Sequence, residues 1–298
     1  MPVEADENVV EQRILEQGSR ITTYGAVTGW AALRWRGASF FDGRDRAGDQ
    51  LPIPLVVGDF RLRSDPRVAI SRAQIAPTER SMVGDLWVAT VQRALFDEMR
   101  FAPSARRAVV AMDMAAAARL ISVRLMTRYV SFRRAWTGVE QVRTALRLAS
   151  DHSRSPQETR MRLVWVLDAG LPTPLCNVPV FDCAGRLLGL PDLPDPVAGV
   201  VGEYNGADHK ELDRRRSDNA REAGFRNVGL EYFDLVEGDL ADRTHVVRRM
   251  QETRDRARFD PPELRRWTLT PPPWWRPKQE PLDLHLTRTG QAAFLIRT

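Results

Sequence analysis

Pro191-Asp192 and, eleven residues after that aspartate, Glu203-Tyr204-Asn205-Gly206 with His209 are the residues whose types and spacing point most directly to chemistry. Two carboxylates converging from adjacent strands supply the hard oxygen donors that Mg²⁺ or Mn²⁺ takes, with water and a substrate phosphate completing the shell. Asn205 offers an amide that can orient a water, and His209 a ring that exchanges a proton near neutral pH. Such a set suits hydrolysis of a phosphate ester.

Side chains alternate across a strand, so in the run Val197 to Asn205 the residues Glu203 and Asn205 share a face and Tyr204 takes the other. The intervening Leu193-Pro194-Asp195-Pro196 is rich in turn formers. A hairpin turning near Val197 sets Asp192 opposite Glu203, with Cβ atoms about 4.5 to 5.5 Å apart. Like charges that close leave one carboxyl protonated unless a divalent cation lies between them. Gly202 and Gly206 leave room on either side for a backbone or a substrate. The competing reading is a surface hairpin with two solvated acids, Asp192 capping a turn beside Pro194.

The elements that must position these residues follow from periodicity and punctuation. A helix is predicted from Ser155 to Ala169, opened by Ser155 as cap, Pro156 in the first turn and Glu158 reaching back as in a capping box. Strands are predicted at Asn177 to Phe181, at Leu187 to Asp192 beyond a turn at Asp182 to Gly185, and up to Asn205. A helix at Ala207 to Ala223, a strand at Asn227 to Tyr232 and a helix at Leu240 to Phe259 complete an α-β-β-β-α-β order, which implies a mixed sheet flanked by helices. Ahead of it, helices are predicted at Glu7 to Gln17, from a Thr23 cap to Gly37, at Val91 to Arg100 behind Thr90, from Ser104, at Arg119 to Tyr129 and at Val139 to Ala149. Short strands fall at Pro54 to Gly58, Arg67 to Ile70 and Leu86 to Ala89.

The chain therefore reads as α+β: a mainly helical domain with a small sheet over residues 1–150, the α-β-β-β-α-β domain over 151–260, and a Pro/Trp-rich tail over 261–298. In that tail Pro271 to Pro277 favours an extended backbone, and Trp274 and Trp275 would dock it on the body.

Composition narrows the class. With 43% hydrophobic and 28% charged residues in 298, the chain can bury a sizeable core. The longest apolar stretches carry charges and are too short for a membrane span, and the acidic start Met1-Pro2-Val3-Glu4 lacks a signal peptide's pattern. The expected location is the cytoplasm. A net charge of +5 carried almost wholly by arginine favours a polyanionic partner, although a GC-rich genome produces the same arginine bias. Arg119 to Arg134 reads as a solvated helix face or a nucleic-acid face. Cys176 and Cys183 read as buried, reduced thiols.

The order of elements around Asp192, Glu203 and Asn205 resembles the PD-(D/E)xK nuclease superfamily. Within it, the second half resembles the very-short-patch-repair-like endonuclease domains of many GC-rich bacteria. Carrying the resemblance are Ser155 to Glu158 with Arg162, Ala169 to Pro172, Gly189 to Leu193, Glu203 to Gly206 with His209, Asp213 to Arg216, and Ala223 to Phe225; it covers about a hundred residues, Ser155 to roughly Arg256. It implies a restriction-endonuclease-like fold and a Mg²⁺- or Mn²⁺-dependent endonuclease hydrolysing DNA. Asp192 and Glu203 would be metal ligands; Glu158 either joins them or serves the capping box. Asn205 stands where the superfamily usually has lysine, and His209 either transfers a proton or caps a helix. Arg162, Lys210, Arg214, Arg215 and Arg216 would meet DNA phosphates, and so would Arg221, on the predicted helix after the site. The alternative is a catalytically inactive DNA-binding regulator or antitoxin that keeps the fold. In the first half, Val27 to Leu33 and Arg93 to Arg100 resemble a region similar to AbiEi-type antitoxin and regulator proteins, implying recognition of DNA or a protein partner. The Trp-rich tail is a second candidate partner surface.

Overall fold

The computed structural model describes residues 9–21, 24–45, 47–206 and 212–290, without the side chains of 212–218. Thr23, His209 and Lys210 lie outside the described residues, as do the side chains of Arg214, Arg215 and Arg216. The chain divides into two units, residues 1–151 with 281–298, and residues 152–280.

The first unit opens with α1 (Val10–Gly18), β1 (Ala26–Val27), α2 (Gly29–Trp35), β2 (Ile53–Val56), β3 (Val68–Ser71), β4 (Arg80–Val83) and β5 (Leu86–Ala89). The strands form one mixed sheet in the order β3-β2-β1-β5-β4. Four helices follow: α3 (Val91–Arg100), α4 (Ala105–Ala117), α5 (Val123–Ser131) and α6 (Val139–Leu148). Local signals set their starts, since the Thr90, Ser104 and Ser122 hydroxyls accept the N–H groups of Arg93, Arg107 and Leu125. Two starts differ from the predictions. Ala26 and Val27 pair with β2 and β5, so the helix expected behind Thr23 begins only at Gly29. Arg119, in the left-handed region at φ 59°, ends α4, and the next helix waits for Ser122.

The second unit runs α7 (Pro156–Leu163) with a π turn (Val164–Asp168), β6 (Val180–Asp182), β7 (Leu187–Gly189), β8 (Leu193–Asp195), β9 (Val200–Asn205), α8 (Leu212–Asn227), β10 (Glu231–Val236), α9 (Arg243–Asp255) and β11 (Trp267–Thr268). β9 pairs parallel with β10 and antiparallel with β8, while β6 lies antiparallel between β11 and β7. The chain is thus mixed α/β, with its helices and mixed sheets in both units.

The strand expected to run unbroken from Leu187 to Asp192 is split between these two sheets. Pro191 and Pro194 have no N–H for a ladder, so the chain bends and Pro194 falls on β8, at a sheet edge. Carbonyls of these prolines accept the N–H groups of Asn177 (3.1 Å) and Leu175 (2.9 Å) instead. The strand expected from Asn227 starts at Glu231, because α8 continues to Asn227 and Gly229 turns the chain at φ 87°.

Alternation along β9 and β10 divides the core of this unit. Val200, Phe233 and Leu235 pack with Met161, Trp165, Val246 and Met250 of the α7 and α9 side, Trp165 stacking on Phe233 at 5.9 Å. Val201 and Tyr232 pack with Phe225 of α8 and with Val180 and Trp267 of the other sheet. Gly202 does not make room for a substrate: a Cβ there would lie 2.3 Å from the Phe233 ring. Gly202→Ala is expected to cost about 1–3 kcal/mol through overpacking, read as a lower urea midpoint with an unchanged slope.

The stretch after residue 260 belongs to both units. Trp274 and Trp275 meet Phe181 edge-on at 6.2 and 5.4 Å, whereas α10 (Leu282–Arg288) lies in the first unit, its Asp283 accepting from Arg124 Nε and Ser122 Oγ at 2.7 Å each. Cys176 is buried as expected, but Cys183 is exposed. Among the described residues no helix is long and apolar enough to cross a membrane.

Candidate functional site

The β8–β9 ladder pairs Leu193 with Gly202, and one further step in the same register sets Asp192 opposite Glu203. The ladder stops there. The Tyr204 N–H donates to Asp192 Oδ2 at 2.8 Å, so a side chain takes the place of a strand carbonyl and the carboxyl is fixed at the strand's mouth. The turn-capping aspartate of this hairpin is Asp195, which accepts from Val197 and Ala198 N–H (2.9 and 3.2 Å) and pairs with Arg254 (2.9 Å). Asp192 is thereby released from the structural role that its neighbourhood to Pro194 suggested.

Glu203 is 5% exposed. Its Oε2 accepts from Arg221 Nε (3.2 Å) and Nη2 (2.9 Å) and from the Tyr232 hydroxyl (3.1 Å). Arg221 is brought there by Gly189 on β7, where a Cβ would lie 2.8 Å from Phe225 and 3.0 Å from Arg221 Cδ. The glycine therefore lets α8 approach the sheet. Burial and the charge of Glu203 push the Tyr232 hydroxyl well above its ordinary range.

Glu158 caps the start of α7 in its own way. Ser155 Oγ accepts the Glu158 N–H (3.2 Å), while Glu158 Oε2 accepts from the Arg154 N–H and Asn177 Nδ2, each at 2.8 Å. Asn177 holds the left-handed conformation at φ 52° and also donates to the His152 carbonyl (2.9 Å). That is why the strand predicted from Asn177 begins only at Val180. Burial, and then the charge of Glu158, lift the Asp192 carboxyl to about 7; Glu203 adds to the lift, while the Tyr204 N–H and Arg221 oppose it. The three acids thus share one electrostatic neighbourhood, but among the described residues no three His, Cys, Asp or Glu side chains stand together as a metal-binding group.

Asn205 lies on the Glu203 face and its Nδ2 is 3.4 Å from Asp234 Oδ2. Asp234 is paired in register with Glu203 on the neighbouring strand and forms a 2.7 Å ion pair with Arg249. It enters the site because β10 starts four residues later than predicted. Arg162 does not reach a surface suited to DNA, since it is buried at 4% exposure.

Sequence reasoning placed Arg221 among phosphate-gripping arginines and did not single out Tyr232, Asn177 or Asp234. The available signal was register: Glu203, two residues after Val201 on β9, and Tyr232, paired with Val201 on β10, share the face that Phe225 of α8 covers. Because Arg221 lowers the Asp192 pKa, Arg221→Met is expected to move the Asp192 midpoint upward from about 7, measurable by carbon-detected NMR titration. An unchanged midpoint would remove Arg221 from the site's electrostatics. Compared with protein-family models, with curated proteins and with solved structures, the chain matches none.

Proposed function

We propose that the second unit is a Mg²⁺- or Mn²⁺-dependent endonuclease-like domain hydrolysing DNA phosphodiester bonds, on a restriction-endonuclease-like arrangement of its elements. The observation that carries this reading is the Asp192 carboxyl fixed by the Tyr204 N–H opposite Glu203 and lifted to about 7 by burial and by two neighbouring carboxylates. Carboxyls held against such a cost cluster at functional sites. The donor set fits a hard cation in kind, because Asp192 and Glu203 are oxygen donors of the number that Mg²⁺ takes from protein. A cation held by them would lower the pKa of a bound water and offset charge on the phosphate.

The chain's own residues have distinct tasks in this reading. Tyr204 N–H orients Asp192, Tyr232 and Arg221 orient Glu203, and Asp234 orients the Asn205 amide toward a water. Glu158 raises the charge density at Asp192 from its place at the start of α7. His209 as proton carrier and Lys210, Arg214, Arg215 and Arg216 as phosphate contacts rest on their sequence positions. Arg162 has no such task.

A second reading, a DNA-binding regulator without catalysis, is favoured by one arrangement: Glu203 Oε2 already takes three donated hydrogen bonds, and Asn205 brings no positive charge. Incubating the full chain with supercoiled plasmid in Mg²⁺, Mn²⁺ or EDTA separates the two. Nicking that needs the divalent ion supports the nuclease. Gel shifts that persist in EDTA with no cleavage in either metal support the regulator.

A further inference from the structure

We propose that a cavity in the first unit, between the start of α2, strands β2 and β3 and the end of α3, binds a small organic cation: a primary ammonium on a compact apolar body, with Glu98 as its counter-ion. The cavity measures about 370 Å³, within the range of small-molecule sites, and its walls include Trp30, Pro54, Ile70 and Phe101. Two of its polar groups are committed to each other, the Thr28 hydroxyl donating to Asp97 Oδ2 at 2.7 Å. Asp97 is also neutralised by Arg93 (3.0 Å) and Arg100 (2.8 Å).

Glu98, one residue on and turned about 100° around the helix, is in the opposite situation. It accepts the Trp30 N–H at 2.9 Å, and among the described residues it forms no ion pair. Burial lifts its carboxyl to about 7; Arg107 on α4 pulls it down and Asp97 pushes it up. An ammonium entering the cavity would do for Glu98 what Arg93 and Arg100 do for Asp97. Trp30 and Phe101 supply apolar wall, their rings already facing Arg13 (6.0 Å) and Arg100 (3.9 Å), so the carboxyl of Glu98 is the group left to meet a cation.

The backbone is arranged for this carboxyl. Gly29 sits at φ 52°, and a Cβ there would lie 2.9 Å from Pro54 Cγ and 3.2 Å from Glu98 Oε2. Glycine is therefore what lets the acid seat itself on the Trp30 N–H. The two sequence segments singled out in this half, Val27 to Leu33 and Arg93 to Arg100, meet at this cavity, and the phosphodiesterase reading uses neither.

The test is calorimetric titration of the full chain with phenethylamine, which is cationic throughout, and with its neutral isostere 2-phenylethanol, at pH 6 and pH 8. Phenethylamine is expected to bind one to one and about tenfold more tightly at pH 8, as a carboxyl with a midpoint near 7 ionises. The alcohol is expected to bind at least about tenfold more weakly and equally at both pH values. Glu98→Gln, which can still accept the Trp30 N–H, should lose the pH dependence and about tenfold in affinity. Ala69→Trp, on the exposed side of β3, should fill the cavity and abolish binding. Absence of saturable phenethylamine binding, equal binding of the alcohol, or undiminished binding in a folded Glu98→Gln protein would overturn the proposal. Should Glu98→Gln fail to fold, undiminished binding by Ala69→Trp would overturn it.

Discussion

Glu79→Gln is expected to destabilise the first unit by about 3 kcal/mol. Glu79 is 6% exposed and lies just before β4. Its carboxylate accepts from Arg93 Nη1 (2.9 Å), the Tyr129 hydroxyl (2.5 Å) and Arg133, and thereby ties α3 and α5 to the edge of the sheet. Arg93 is fully buried, with Trp136 beside its guanidinium at 4.8 Å and Asp97 as its other anion. A neutral amide keeps the shape at position 79 but leaves Arg93 and Arg133 short of a counter-charge, and an uncompensated buried charge costs far more than the intact pair gains. For a unit of this size the loss corresponds to roughly 6–12 °C in Tm.

The pH dependence has a definite sign. Burial alone would raise the Glu79 carboxyl, but the Tyr129 hydrogen bond and the Arg93 and Arg133 charges outweigh it and hold it below its ordinary value. A depressed carboxylate stabilises the fold above its unfolded pKa, and the contribution is lost as pH falls through the folded one. The parent should therefore lose stability on acidification more steeply than Glu79→Gln. Melting curves from pH 3 to pH 7 check this, and a variant that melts within a degree of the parent at pH 7 would refute the assigned role.

The same network shows where sequence ceases to inform. Arg93, Asp97 and Arg100 stand at helical spacing and their pairing on one side of α3 is readable from the chain alone. Their buried partner Glu79 comes from a preceding turn, and only the packing of α3 against β5, the neighbour of β4, brings it in. In the second unit, caps and alternation located α7 and the β8–β9 hairpin and set Asp192 opposite Glu203, because those signals act over a few residues. The split of β7 from β8 was not readable as periodicity, since it depends on which neighbour each strand finds once Pro191 and Pro194 cannot donate. Arg221 on Glu203 depends on how closely α8 approaches the sheet, which Gly189 controls from another strand. Asp234 was hidden by a boundary error, Gly229 delaying β10 until Glu231.

Asp192→Asn is expected to act in opposite directions on activity and on stability. Under the nuclease reading it removes one of two carboxylate ligands, and metal-dependent DNA cleavage should fall by at least about a hundredfold, because even a ligand's outer partners are worth about 10- to 100-fold. Stability should rise at alkaline pH. The folded state lifts this carboxyl from 3.8 to about 7, so the proton is held more tightly folded than unfolded. A raised folded pKa gives stability that is fully present below the unfolded pKa and is lost as pH climbs through the folded one. At one unit per about 1.4 kcal/mol the shift sets an upper bound near 4 kcal/mol, and partial exposure of Asp192 to solvent reduces this to about 1–2 kcal/mol. An amide at position 192 carries no such cost and its oxygen can still accept the Tyr204 N–H, so at pH 8 without divalent metal the variant should melt above the parent, while at pH 4 the two should coincide. Adding Mg²⁺ should then stabilise the parent and leave the variant where it was. A variant less stable than the parent at pH 8 would mean that Asp192 is a structural acid, and one that still cleaves at the parental rate would exclude it from the catalytic pair.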